Sequence, residues 1–150
     1  MKKSAGILPY KIINNKLYVY LEHPGGPYWK NIDKWSICKG ELNNESIKSA
    51  AIREFKEETG TEIKIEELQY LCSRKISRQK LVIIFVVNKD IDSTKMQSNT
   101  FKLELPKGSG IFHEYPEMDK ASWFEINEAE EKIMSSQKYF LQRLKDMIKL

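Results

Sequence analysis

Apolar positions follow two different periods along the chain. Ser4 to Ile13 predicts a strand, Asn14-Asn15 a two-residue turn, and Lys16 to Glu22 a second strand that pairs with the first as a hairpin. His23-Pro24-Gly25-Gly26-Pro27-Tyr28-Trp29 then breaks the pattern; its prolines and glycines predict a loop that presents aromatic rings. A short strand is expected near Trp35-Ser36-Ile37. From Ser46 to Thr59 the spacing becomes helical, with Ser46 or Asn44 as N-cap and Gly60 as a left-handed C-cap. Ile63 to Leu71 and Leu81 to Val87 predict further strands, the second an unbroken apolar run of the kind buried on both faces. Asp119 to Ile126 reads as one more strand. Ile133, Phe140, Leu141, Leu144 and Ile148 fall at helical spacings, so one or two amphipathic helices are expected between Asn127 and Leu150. The expected fold class is α+β or α/β, a mixed β-sheet sandwiched between α-helices.

Composition narrows this picture. With 150 residues, 41% of them hydrophobic and 31% charged, and with no repeat or Pro/Gly/Ser-rich linker, the chain reads as one domain over 1–150. Its longest apolar run, Leu81 to Val87, is seven residues, far short of the roughly 20 that cross a bilayer, so no membrane span is expected. The basic start, Met1-Lys2-Lys3, is followed by a stretch interrupted at Pro9, Tyr10 and Lys11, which excludes a signal-peptide core and leaves a cytoplasmic location as the expectation. Cys38 and Cys72 fit no zinc spacing and are expected as free thiols. A net charge of +4 suits a phosphate-rich partner without requiring one.

Chemistry concentrates on the central helix. Turning about 100° per residue from Glu54 puts Glu57 near 300° and Glu58 near 40°, within one arc of about 100°. Ile47, Ala50, Ala51 and Phe55 belong to the same side, whereas Lys48, Ser49 and Lys56 point away from it and Ile52 fits the scheme poorly. Carboxylates on an inward face repel one another and lose hydration, at a cost of several kcal/mol per ion unless a cation compensates. Oxygen-only ligands favour a hard divalent ion such as Mg²⁺ or Mn²⁺. A solvated acidic patch laced by Arg53 and Glu57, four apart, is the alternative.

The string from Gly40 to Thr61, GELNNESIKSAAIREFKEETGT, resembles the signature box of the Nudix hydrolases. Arg53, Glu54, Phe55, Glu57, Glu58 and Gly60 match in register, and Glu45 stands the required eight positions before Arg53. Gly40 precedes Glu45 by five positions where the pattern has six, and Thr61 replaces a hydrophobic residue. The wider chain, including the His23-Pro24-Gly25-Gly26 loop, Ser98-Asn99-Thr100-Phe101 and Pro116-Glu117-Met118-Asp119, is similar to a MutT-like branch of predicted NTP pyrophosphohydrolases. The resemblance implies a single domain with its box over about 40–61, on a loop–helix–loop that bears the metal ligands.

It further implies hydrolysis of a nucleoside diphosphate-linked substrate. Glu54, Glu57 and Glu58, the Gly40 carbonyl and Glu45 would hold Mg²⁺, with Mn²⁺ as a substitute. Arg53 would orient these carboxylates. Glu57 within the box, or Glu117 in the distal acidic group Glu114, Glu117 and Asp119, would be the general base, with Glu117 preferred. Lys39 is a candidate phosphate contact against a solvated loop lysine, and Arg78, with Arg74, Lys75 and Lys80, reaches phosphates or ends an exposed hairpin. Tyr28 and Trp29 stack on a purine or pack on the sheet; Trp35 and Trp123 read as core, and His23 and His113 have no ligand role.

Markers of ADP-ribose, diadenosine-polyphosphate and coenzyme A enzymes are missing at their usual spacings, which leaves a nucleoside triphosphate as the expected substrate and dinucleoside polyphosphates as the alternative. A non-catalytic nucleotide sensor is the rival from another class. Relatives often dimerise, so a homodimer is compatible with the resemblance. Gly40 to Gly60 carries five acids against three bases, leaving 22 bases against 16 acids elsewhere, an acidic pocket in a basic shell. That distribution suits a small polyanionic nucleotide better than a nucleic acid lying along the surface.

Overall fold

The computed structural model describes residues 1–150. β1 (Lys2–Ile13) and β2 (Lys16–Pro24) form the expected hairpin, turning at Asn14 and Asn15, whose φ of 51° and 63° are values asparagine tolerates. β1 lies parallel to β5 (Lys80–Asn88) along one edge. Its other edge is divided: Tyr10 to Ile13 pair with β2, whereas Ser4 to Ile7 pair with β3 (Cys38–Glu41). Beyond Val19, therefore, β2 parts from β1, and Glu22 meets Ser36 instead. The sheet runs β4 (Gln69–Ser77), β5, β1, β2, β8 (Met118–Glu125), with β3 beside β1.

One apolar layer joins the sheet to α1 (Ile47–Thr59), and the other joins it to α2 (Ile126–Lys132) and α3 (Lys138–Ile148). β5 shows why both layers were visible in the pattern. Ile83, Phe85 and Val87 pack on the α1 side, and Val82, Ile84 and Val86 on the other, so every residue of the apolar run is used. Trp35 is buried in the α2–α3 layer as expected, and Trp123 packs against the α1 layer while its indole N–H donates to the Ile91 carbonyl at 2.8 Å.

Three expectations need correction. The strand expected over Ile63 to Leu71 starts six residues later, at Gln69, because Ile63 is buried in the α1 layer and Ile65–Glu67 forms a short 3-10 turn. Regular pairing near Trp35 begins only at Cys38; Trp35 and Ser36 make isolated bridges to Ile133 and Glu22. Finally, β6 (Thr100–Glu104) and β7 (Phe112–Pro116) form a separate ribbon where no strands were expected.

Phe55 is the main wedge holding α1 on the sheet: it is fully buried and meets Tyr20 edge-on, with ring centroids 6.4 Å apart. Phe55→Ala is expected to lower stability by about 3–5 kcal/mol in urea unfolding.

Candidate functional site

Ser46 begins α1, its Oγ accepting the Ser49 N–H at 3.2 Å. Gly60 ends it at φ 73°, with its N–H donating to the Lys56 carbonyl at 2.8 Å. Between these caps the carboxylates do not share one environment, as the helical arc had suggested. Glu58 is buried, Glu54 half-buried and Glu57 exposed. The arc spans the flank of the helix, so Glu58 stays beside buried Phe55 while Glu57 turns to the rim. Ile52 is half-buried against the same core and is no part of the solvent face.

Arg53 organises the flank. Its Nε donates to Glu45 Oε1 and Oε2 at 2.9 and 3.2 Å, and Nη2 to Glu45 Oε1 at 2.6 Å and the Glu41 carbonyl at 3.3 Å. Nη1 donates to Glu54 at 2.9 Å and Glu57 at 3.3 Å. These bonds hold Glu45 below the usual carboxylate range, and Glu45 is thereby committed to Arg53. Glu54 moves the other way, because burial outweighs its bond to Arg53.

Gly40 makes the close approach possible. A Cβ there would stand 2.1 Å from Glu54 Cδ, so any side chain at this position would push the Glu54 carboxylate away from the β3 backbone.

Glu58 receives nothing from Arg53. Its Oε2 is buried without a partner, and burial, followed by the charges of Glu117, Glu54 and Glu57, pushes its carboxyl up to about 7. Opposite stands a residue that sequence reasoning missed. Glu22 is fully buried on β2; burial and then Glu58 push it up to about 8, against the hydrogen bonds it accepts from Tyr20 and Cys38. Strand alternation was the available signal, since Glu22 lies two positions past Tyr20, which faces α1.

No three acidic, histidine or cysteine side chains are gathered to hold an ion as they stand, for Glu54 and Glu57 are turned toward Arg53. The donor set nevertheless fits a hard divalent cation: oxygen atoms only, a glycine cradle against Glu54, and a buried oxygen on Glu58 with no partner.

The distal acids separate clearly. Thr100 Oγ1 donates to Glu114, and Asp119 is 2.8 Å from His23 Nδ1. Buried His23 also meets the Ile32 carbonyl through Nε2 at 2.7 Å, so it anchors the backbone. Glu117, between β7 and β8, makes no side-chain hydrogen bond, and its charge bears on both Glu54 and Glu58. It also lines a cleft of about 370 Å³ with Tyr28, Trp29, Phe101 and Leu103. Phe101 and Leu103 come from the unexpected ribbon. A cleft of about 450 Å³ between the Asn15 turn and the end of α3 contains no box residue.

Lys39, in β3, is half-buried; burial and then Lys80 lower its ammonium. Arg78 lies in the exposed β4–β5 turn and bonds no box residue, while Arg74 lies over the Tyr139 ring, 4.4 Å from its centroid. This basic group is thus a hairpin end next to Lys39 rather than part of the carboxylate cluster.

Glu22 and Glu58 set a pH dependence. Their folded-state values lie above that of a free glutamate, so the stability carried by their protonated forms is present below about pH 4.5 and lost as pH rises through about 7 and 8. Thermal unfolding of the metal-free protein is expected to show Tm falling by several degrees between pH 5 and pH 8, with Mg²⁺ restoring it at pH 8.

The NUDIX domain family model matches residues 10–144. Over 74 residues the chain is 36% identical to "Putative 8-oxo-dGTP diphosphatase YtkD" of Bacillus subtilis (strain 168), an alignment that spans 49% of this chain and 44% of that protein. The chain thus matches less than half the length of this relative. Among solved structures, a binary complex of C. elegans Ap4A hydrolase aligns with a TM-score of 0.66 at 20% identity, covering 99% of this chain and 98% of the other. The NUDIX domain of Shewanella oneidensis NrtR, complexed with ADP ribose, aligns with a TM-score of 0.66 at 10% identity, covering 97% and 87%. Those two likenesses concern the fold. Together with the Gly40–Thr61 box and the mixed sheet between helices, the family match establishes that this chain belongs to the NUDIX domain family.

Proposed function

We propose that the chain is a Mg²⁺-dependent pyrophosphohydrolase, served also by Mn²⁺, whose substrate is a nucleoside triphosphate. The observation that carries this reading is the double position of Glu117: it lines the aromatic cleft, and its charge bears on Glu54 and Glu58. A base between Tyr28, Trp29 and Phe101 directs its phosphates from that cleft toward the box. The B. subtilis relative, whose name specifies 8-oxo-dGTP, supports a purine nucleotide.

Glu54, Glu57, Glu58 and the Gly40 carbonyl would hold the cation, which when bound neutralises phosphate charge and acidifies a coordinated water. Arg53 bridges Glu54 and Glu57 through Nη1, offsetting their repulsion and holding both carboxylates in place. Glu117 takes the proton of the attacking water as the new P–O bond forms and the bridging P–O bond breaks. Lys39 and Lys80, like charges that disfavour one another, find their counter-charge in the phosphates. The free, buried thiols of Cys38 and Cys72 suit a cytoplasmic setting.

A product-resolved screen over dNTPs, 8-oxo-dGTP, ADP-ribose, dinucleoside polyphosphates and nucleotide sugars tests the proposal. Nucleoside triphosphates are expected to give the fastest Mg²⁺-dependent turnover. Nucleotide binding without turnover in Mg²⁺ or Mn²⁺ would identify a sensor instead, and preference for dinucleoside polyphosphates would reassign the substrate. Two variants separate the roles. Glu57→Gln should cut kcat by at least about 100-fold while leaving the fold intact. Trp29→Ala should mainly raise KM, by roughly 5- to 150-fold, the equivalent of losing about 1–3 kcal/mol of stacking.

A further inference from the structure

Arg53 bonds three box carboxylates and leaves Glu58 aside. Glu22 and Glu58 therefore form a separate pair, on opposite sides of the α1–sheet layer. Each buries an oxygen, Glu22 Oε1 and Glu58 Oε2, that has neither a hydrogen-bond partner nor contact with solvent. Their surroundings supply no cation: the charges bearing on Glu22 are Glu58 and Glu54, and those bearing on Glu58 are Glu117, Glu54 and Glu57.

Glu22 is also held in place. Its backbone N–H donates to the Ser36 carbonyl and its carbonyl accepts from Ser36 N–H, both at 2.8 Å. Oε2 accepts from the Tyr20 hydroxyl at 3.4 Å, while Oε1 has no partner. A carboxylate anchored on one oxygen and bare on the other, facing the charge of a second carboxylate that also has a bare oxygen, presents hard donors without ordinary protein donors to satisfy them.

We infer that Glu22 is a divalent-cation ligand, forming with Glu58 an inner oxygen site on the sheet side of the box helix. Two carboxylate oxygens suffice for an ion that keeps water or substrate phosphate in its remaining positions. Glu58 then serves both the inner site and the box, and the buried charge of Glu22 has a reason to persist. The inference rests on the reading that the box binds a divalent cation.

Mn²⁺ titration of the metal-free protein, followed by electron paramagnetic resonance, tests it without reference to turnover. Wild type should bind Mn²⁺, and Glu22→Gln should weaken or lose the tightest ion by at least about 10-fold. Glu22→Ala, which removes both oxygens, should do the same. Circular dichroism should show both variants folded, with metal-free Glu22→Gln at or above the wild-type Tm. Unchanged Mn²⁺ affinity and stoichiometry in both variants would overturn the inference and make Glu22 a buried acid satisfied by a proton or water. Failure of wild type to bind Mn²⁺ at all would overturn the metal reading on which it rests.

Discussion

One guanidinium facing too many carboxylates is the constraint on which the site depends. Arg53 bonds Glu45, Glu54 and Glu57, yet Glu22 and Glu58 remain beyond its reach in a buried layer. Desolvated like charges are costly, and the fold accommodates them by raising Glu22 and Glu58 above the ordinary glutamate range. The protein therefore carries an excess of buried carboxylates that a hard cation would offset. The proposed metal-binding role rests on this excess of carboxylates as much as on the box pattern.

Topology brings the excess to one place. Because β1 divides an edge between β2 and β3, β2 diverges and delivers Glu22, while β3 delivers Gly40. Buried polar ties fix these segments: His23 links Asp119 to the Ile32 carbonyl, and Gln137 accepts the Ile37 N–H at 2.8 Å and donates to Ser36 at 2.9 Å. Such ties hold irregular chain where no strand ladder can. The β6–β7 ribbon adds Phe101 and Leu103 to the cleft, so the aromatic wall and the acidic floor come from separate parts of the chain.

How much was legible depended on how strongly each segment's local chemistry was dictated by burial. The box helix had caps at Ser46 and Gly60 and a clear apolar stripe, and its limits were readable. β5 was equally clear because both its faces are buried. β4 was misplaced because its polar half, Ser73 to Ser77, gains its pairing from Lys80–Ile83 rather than from a hydrophobic face of its own. The β6–β7 ribbon lay hidden for the same reason: its residues are half-buried or exposed, and its pairing is non-local. Glu22 was passed over because a glutamate ending a strand reads as its solvated edge, although alternation from Tyr20 turns it to the buried α1 face.

The carboxylate cluster is proposed to be a cation site. Anomalous scattering from crystals grown with Mn²⁺ and a non-hydrolysable nucleoside triphosphate analogue tests it most directly. The account predicts Mn²⁺ peaks within coordination distance of Glu58, the Gly40 carbonyl and Glu54, with Glu54 and Glu57 released from Arg53. Density for the nucleotide without a peak at these carboxylates, or with Arg53 still bonded to both, would contradict it.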